Sequence, residues 1–202
     1  MPQPLYLIAG AISWPLVGLP FRLRARGVEN VPSGGFVLAS NHISNMDPWP
    51  LGLPLWPRRQ LRFMAKSELF HPLLKPILYG GGAFPVHRGT GDREAMRTAV
   101  ELVRDGEIVV MFPEGTRRTK GLRKKFEPRA HTGAARIALL AGSPLVPAAI
   151  RGTDRLSRLG PMHIAYGKPI PLDDLRETDA KSAAAEATRR LMTEIGKLEA
   201  TL

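Results

Sequence analysis

The sequence contains no cysteine. That excludes a disulfide framework, a cysteine nucleophile and a thiolate metal site. Its five histidines do not fall at metal-ligand spacing, and no HExxH pattern occurs. Aromatic residues make up only 6% of the chain and are not interleaved with basic ones, so a stacking platform for nucleic-acid bases is not expected. No unbroken apolar run reaches the roughly 20 residues that a membrane-spanning helix needs. The uncharged stretch over residues 5–21 is interrupted by Pro15 and Pro20, and it lacks the basic start and small-residue cleavage site of a signal peptide. Internal repeats, low-complexity segments and a dividing linker are all missing.

What is present suits a folded enzyme-sized domain. The chain is 202 residues long with an ordinary apolar content of 44%, enough for one sizeable core. The formal charge is +11, which implies an anionic partner such as a membrane surface or a phosphorylated substrate. The apolar residues 5–21 are followed at once by Arg22, Arg24 and Arg26. That order suits a proline-kinked segment lying in a membrane interface, with Trp14 at headgroup level and the arginines against anionic lipid. A core helix packed on the domain is the competing reading.

Short apolar runs mark strands at residues 35–39, 62–65, 108–112, 145–150 and 163–166, of which 35–39 reads as buried and 108–112 as parallel and covered on both faces. Residues 83–86 read as an edge strand because of Pro85. Ser67 can cap a helix through Leu69, Leu73, Leu74 and Leu78, with Pro72 and Pro76 limiting its regularity. Further helices are expected after Asp92 up to Gly106, from Thr132 to Gly142, and from about residue 179 to 198 with a stripe of Ala184, Ala187, Leu191, Ile195 and Leu198. Alternating strands and helices predict an α/β fold, a single domain with a largely parallel mixed sheet flanked by helices.

The polar residues of most interest sit where such strands end. His42 and Asp47 are five residues apart. On a straight helix that offset is about 140°, so the side chains meet only if the chain turns between them, as Ser44, Asn45 and Pro48 favour. A histidine held by a carboxylate keeps one tautomer and can take a proton from a hydroxyl. Arg88 and the run from Glu114 through Gly115 and Thr116 to Arg117 also follow predicted strands. In an open α/β sheet the carboxyl edge is where ligands bind.

These clusters resemble the glycerolipid acyltransferase superfamily, and most closely the lysophosphatidic acid acyltransferases. The family's NHxSxxD motif is Asn41-His42-Ile43-Ser44-Asn45-Met46-Asp47. Its FPEGTR motif is Phe112-Pro113-Glu114-Gly115-Thr116-Arg117. Gly82-Ala83-Phe84-Pro85-Val86-His87-Arg88 and Leu145-Val146-Pro147-Ala148-Ala149-Ile150 match the remaining two, and the segment beginning Phe63-Met64-Ala65-Lys66 is similar as well. The chain departs from the family at Arg118, where a serine is common, and at His131-Thr132, where a lysine is common.

The resemblance implies transfer of a fatty acyl group from acyl-CoA or acyl-carrier protein to the free sn-2 hydroxyl of lysophosphatidic acid, a step of phospholipid biosynthesis. It implies no metal and no bound organic cofactor, and no nucleic-acid partner. His42 would be the general base and Asp47 its orienting group, with Ser44 as an alternative nucleophile. Arg88 and Arg117, with Lys66, would hold the acceptor phosphate; Glu114 would position Arg117, a hydroxyl or the loop; Gly115 and Thr116 would let the backbone approach substrate. Residues 1–23 would form the membrane-interface segment and 24–202 the catalytic domain, peripheral or monotopic on the cytoplasmic face of the cell membrane. The alternatives are the same chemistry on another lysophospholipid or lipid head group, and a non-catalytic binder of anionic lipid. An intact His42, Asp47 and Glu114 argues against the binder.

Overall fold

The computed structural model of the chain describes residues 2–86, 93–115, 119–120, 124–125, 130–155 and 159–202. Seven strands form one sheet in the order β1 (Arg24–Arg26), β9 (His163–Tyr166), β8 (Leu145–Arg151), β2 (Phe36–Ser40), β5 (Ile108–Met111), β3 (Leu61–Lys66), β4 (Ala83–Val86). Strands β8, β2, β5, β3 and β4 are mutually parallel, so all five end on one edge. Only β9, antiparallel to β8, and β1 beside it run the other way. A short antiparallel pair, β6 (Thr119–Lys120) with β7 (Lys124–Lys125), stands apart.

The centre of the sheet explains its unbroken apolar sequence. Every residue of β2 is buried, because both faces are covered. Val37, Ala39 and Val109 point into one half of the core. There they meet α4 (Arg93–Arg104), α5 (Gly133–Ala141) and α6 (Ala180–Ala200) through Ala99 and Val103, Ile137 and Ala138, and Ala187, Leu191 and Ile195. Phe36, Leu38, Ile108 and Val110 point the other way, onto Leu51, Leu55, Leu61 and Tyr166. Leu51 belongs to α2 (Pro48–Gly52), and the Tyr166 hydroxyl donates to its carbonyl at 2.7 Å, tying that helix to β9. Asp179 caps α6 by accepting from the Lys181 and Ser182 amides, and Gly142 closes α5 in the left-handed region that glycine tolerates. Strand β4 is the outer strand, as Pro85 requires. The expected cap Asp92 lies outside the described residues.

One helix differs from expectation. Between Ser67 and Leu78 the chain forms a 3₁₀ turn, Ser67–Leu69, and only then α3 (Lys75–Gly80). Pro72 pushes its predecessor out of the helical region, and Pro76 is accepted only because it falls in the first turn of α3.

The N-terminal stretch is α1 (Pro4–Ser13) followed by a π turn, Trp14–Gly18. Its small residues face the domain. Gly10 and Ser13 are buried, and a Cβ on Gly10 would lie 2.2 Å from the Trp56 ring. Val17 joins Leu53 and Met162 in a small core cluster. Its large residues face outward, with Ile8, Ile12, Leu16 and Leu19 all exposed. Among the described residues, no helix is long and apolar enough to cross a membrane.

Candidate functional site

The site begins where β2 ends. Asn41 is buried and its amide behaves like one more unit of strand. Its Oδ1 accepts from the Ile150 amide at 2.8 Å, and its Nδ2 donates to the Ile150 carbonyl at 3.0 Å and to Glu199 Oε1 at 2.8 Å. The chain then leaves the sheet in a turn. The Asp47 amide donates to the Ser44 carbonyl at 3.2 Å, and the Met46 amide donates to Ser44 Oγ at the same distance. Ser44 is thus a turn former here.

Within that turn Asp47 is completely buried and accepts four hydrogen bonds. Oδ2 receives the Ile43 amide at 2.7 Å, the Ser44 amide at 2.9 Å and His42 Nδ1 at 2.8 Å. Oδ1 receives Thr153 Oγ1 at 2.5 Å. Because Oδ2 already accepts two amides, it receives the proton at Nδ1. The neutral imidazole therefore carries its lone pair on Nε2. The ring is stacked on Phe112, with centroids 4.2 Å apart and planes 21° from parallel. Its side chain keeps 17% of its surface open.

The adjacent parallel strand β5 brings the second motif to the same edge, Ala39 pairing with Met111. Glu114 is buried. Gly115 has φ +64°, and a Cβ there would stand 2.7 Å from the His131 ring. It is needed on both counts. The His131 amide donates to the Pro113 carbonyl at 2.7 Å, so the residue that departs from the family pattern sits directly on this loop. Lys66, the exposed last residue of β3, lies on the same edge. Arg88, Thr116 and Arg117 lie outside the described residues. Among the described residues, no group of histidine and carboxylate side chains could hold a metal ion.

Thr153 was missed by the sequence reading. It follows β8, the last in chain order of the five parallel strands that end at this edge, directly after Gly152 at φ +95°. Position was the available signal; residue type offered none.

Beside the turn lies an apolar cavity of about 380 Å³. Met46, Trp49 and Phe63 line it, together with Tyr6 and Gly10 from α1 and Ile77 from α3. Trp49 is held by a bond from Nε1 to Ser13 Oγ at 2.9 Å. Burial pushes the Tyr6 hydroxyl up to about 12, against a smaller opposing effect of its hydrogen bond with the Leu61 backbone, so it stays a neutral wall group.

A family model described as Acyltransferase matches residues 22–151. The 1-acyl-sn-glycerol-3-phosphate acyltransferase of Bacillus subtilis is 35% identical over 176 residues, covering 85% of both chains. A chloroplastic 1-acyl-sn-glycerol-3-phosphate acyltransferase of Brassica napus is 30% identical over 145 residues, which span 69% of this chain and 40% of that longer one. The fold matches the crystal structure of the 1-acyl-sn-glycerophosphate (LPA) acyltransferase PlsC from Thermotoga maritima with a TM-score of 0.65 at 24% identity, covering 95% of this chain and 77% of that one.

Proposed function

Because this chain belongs to the acyltransferase family, we propose that it moves a fatty acyl group from acyl-CoA or acyl-carrier protein to the sn-2 hydroxyl of lysophosphatidic acid, giving phosphatidic acid. The observation that carries the reading is the grip on Asp47. Three donors hold the carboxylate, the carboxylate holds His42 Nδ1, and the basic Nε2 is left for substrate. As the acceptor hydroxyl attacks the thioester carbonyl, Nε2 takes its proton. The C–S bond then breaks, and the imidazolium protonates the departing thiolate. Asp47 stabilises the imidazolium between the two events.

Arg88 and Arg117, carried over from the family motifs, would grip the acceptor phosphate, with Lys66 nearby on the same edge. Buried Glu114 would hold the loop that carries Arg117, and Gly115 and Thr116 would offer backbone. The cavity's apolar walls suit an acyl chain. Residues 1–23 would rest in the membrane interface at the cytoplasmic face, with residues 24–202 as the catalytic domain. The exposed Ile8, Ile12 and Leu16, followed by exposed Arg22, Arg24 and Arg26, support that placement.

The test is thiol release from acyl-CoA with a panel of acceptors. Turnover is expected with lysophosphatidic acid in clear preference to neutral lysolipids; equal rates on both would reject the assigned acceptor. Arg88→Ala and Arg117→Ala should each raise KM for the phosphate-bearing acceptor about tenfold, the loss of one charge-assisted bond. Similar losses on a neutral analogue would mean the arginines serve the fold.

Thr153 acts through Asp47 and is a positioning residue. Thr153→Val keeps the shape but leaves Oδ1 without its donor, which costs about 1–3 kcal/mol in the buried state. A fall of roughly tenfold in kcat with unchanged KM is expected, together with rescue by Thr153→Ser. A matching fall in Thr153→Ser would reject the hydroxyl as the cause.

A further inference from the structure

Residues 71–77 are exposed without a break, although the run is His71-Pro72-Leu73-Leu74-Lys75-Pro76-Ile77. Leu73 is 79% exposed and Ile77 61% exposed. A water-facing segment of this length ordinarily turns its leucines inward or replaces them with polar residues. Here Pro72 and Pro76 stiffen the backbone and hold the apolar side chains out. Resting on the reading above that the acceptor is a lipid, we infer that residues 71–77 form a second membrane-inserting element, separate from the N-terminal segment.

Three observations identify a lipid bilayer as the occupant. The first is continuity with α1. Leu5 packs over Gly80, where a Cβ would lie 2.2 Å from its side chain, so the exposed Leu5 and Ile8 adjoin the exposed Ile77 and Tyr79. The second is charge. No acidic residue occurs between Glu68 and Asp92, while Lys75 stands in the middle of the run. A lysine there can bury its stem among acyl chains and leave its ammonium among anionic headgroups. The third is the cavity. Ile77 and Leu78 from one element and Tyr6 and Gly10 from the other line the same apolar space, which reaches the His42–Asp47 turn at Asn45 and Met46. Inserting both elements would let an acyl chain pass from bilayer to cavity without crossing water.

The cysteine-free sequence makes the test direct. A single thiol is introduced as Leu73→Cys, Ile12→Cys or Leu140→Cys and labelled with a polarity-sensitive fluorophore. Leu140 is 54% exposed but sits at the end of α5 on the opposite edge of the sheet. Each full-length protein is mixed with vesicles of phosphatidylcholine and phosphatidylglycerol. Labels at 73 and 12 are expected to shift to the blue and to be quenched by lipid-borne nitroxide, with no change at 140. Leu73→Asn with Leu74→Asn should lower turnover of vesicle-borne lysophosphatidic acid at least about tenfold and leave a short-chain, water-soluble acceptor unaffected. A label at 73 that stays in water while 12 embeds overturns the inference. So does burial of 73 that depends on protein concentration without vesicles, which would mean a second copy of the chain. Failure of wild-type protein to use the soluble acceptor would count against the acylation reading, and the labels would still decide the insertion.

Discussion

His42→Ala should lower kcat by at least about a hundredfold with the fold intact, since general-base catalysis contributes roughly 10²–10⁴. The ring stacks on Phe112, keeps part of its surface open and bonds inward to buried Asp47, so its loss leaves a modest gap near the surface and spares the main core. Steady-state thiol release and circular dichroism on the same preparation provide the check. A folded His42→Ala protein with near-normal turnover would remove His42 from the mechanism.

Asp47 separates charge from shape. Asp47→Ala should lower activity as far as His42→Ala and should also unfold earlier. The Ile43 and Ser44 amides and the Thr153 hydroxyl would all lose their acceptor, at about 1–3 kcal/mol for each that stays buried. Asp47→Asn should behave differently. Two backbone N–H groups face the Oδ2 position, so the amide is forced to turn its oxygen that way and its nitrogen toward Thr153, whose hydroxyl can rotate to accept. The histidine keeps its tautomer and loses only the negative charge behind it. A melting temperature near wild type is expected with kcat down roughly a hundredfold, about 2–3 kcal/mol of lost stabilisation of the imidazolium. Near-full turnover in Asp47→Asn would show that the charge is not needed.

Much of this site was legible in the sequence. The five-residue offset of His42 and Asp47 demanded a turn, and Ser44 supplies it with its own side chain. Pro85 marked an outer strand, and β4 is one. Thr153 was hidden because it carries no charge and belongs to no motif; only the direction of β8 brings it to Asp47. The segment at 67–78 misled for a different reason. Leu69, Leu73, Leu74 and Leu78 recur at helical spacing, but spacing says only that a face is apolar, not what covers it. Here Leu73 and Leu74 are exposed, and the prolines limit the helix to its last turns. His131 could be read as a departure from the family, yet nothing local to it revealed that it packs against Gly115.

The pairing of β2 bears on how quickly the chain becomes active. Its partners β5 and β8 lie far along the sequence, and both must dock in parallel before Phe112 and Thr153 reach the His42 turn. Such long-range parallel contacts cost loop-closure entropy before they return any stabilisation, which slows folding. The turn at residues 42–47 can form early by itself, but its histidine is fixed only when the last of these strands arrives. Regain of activity after dilution from denaturant therefore tracks the completion of the sheet, later than the recovery of helical signal.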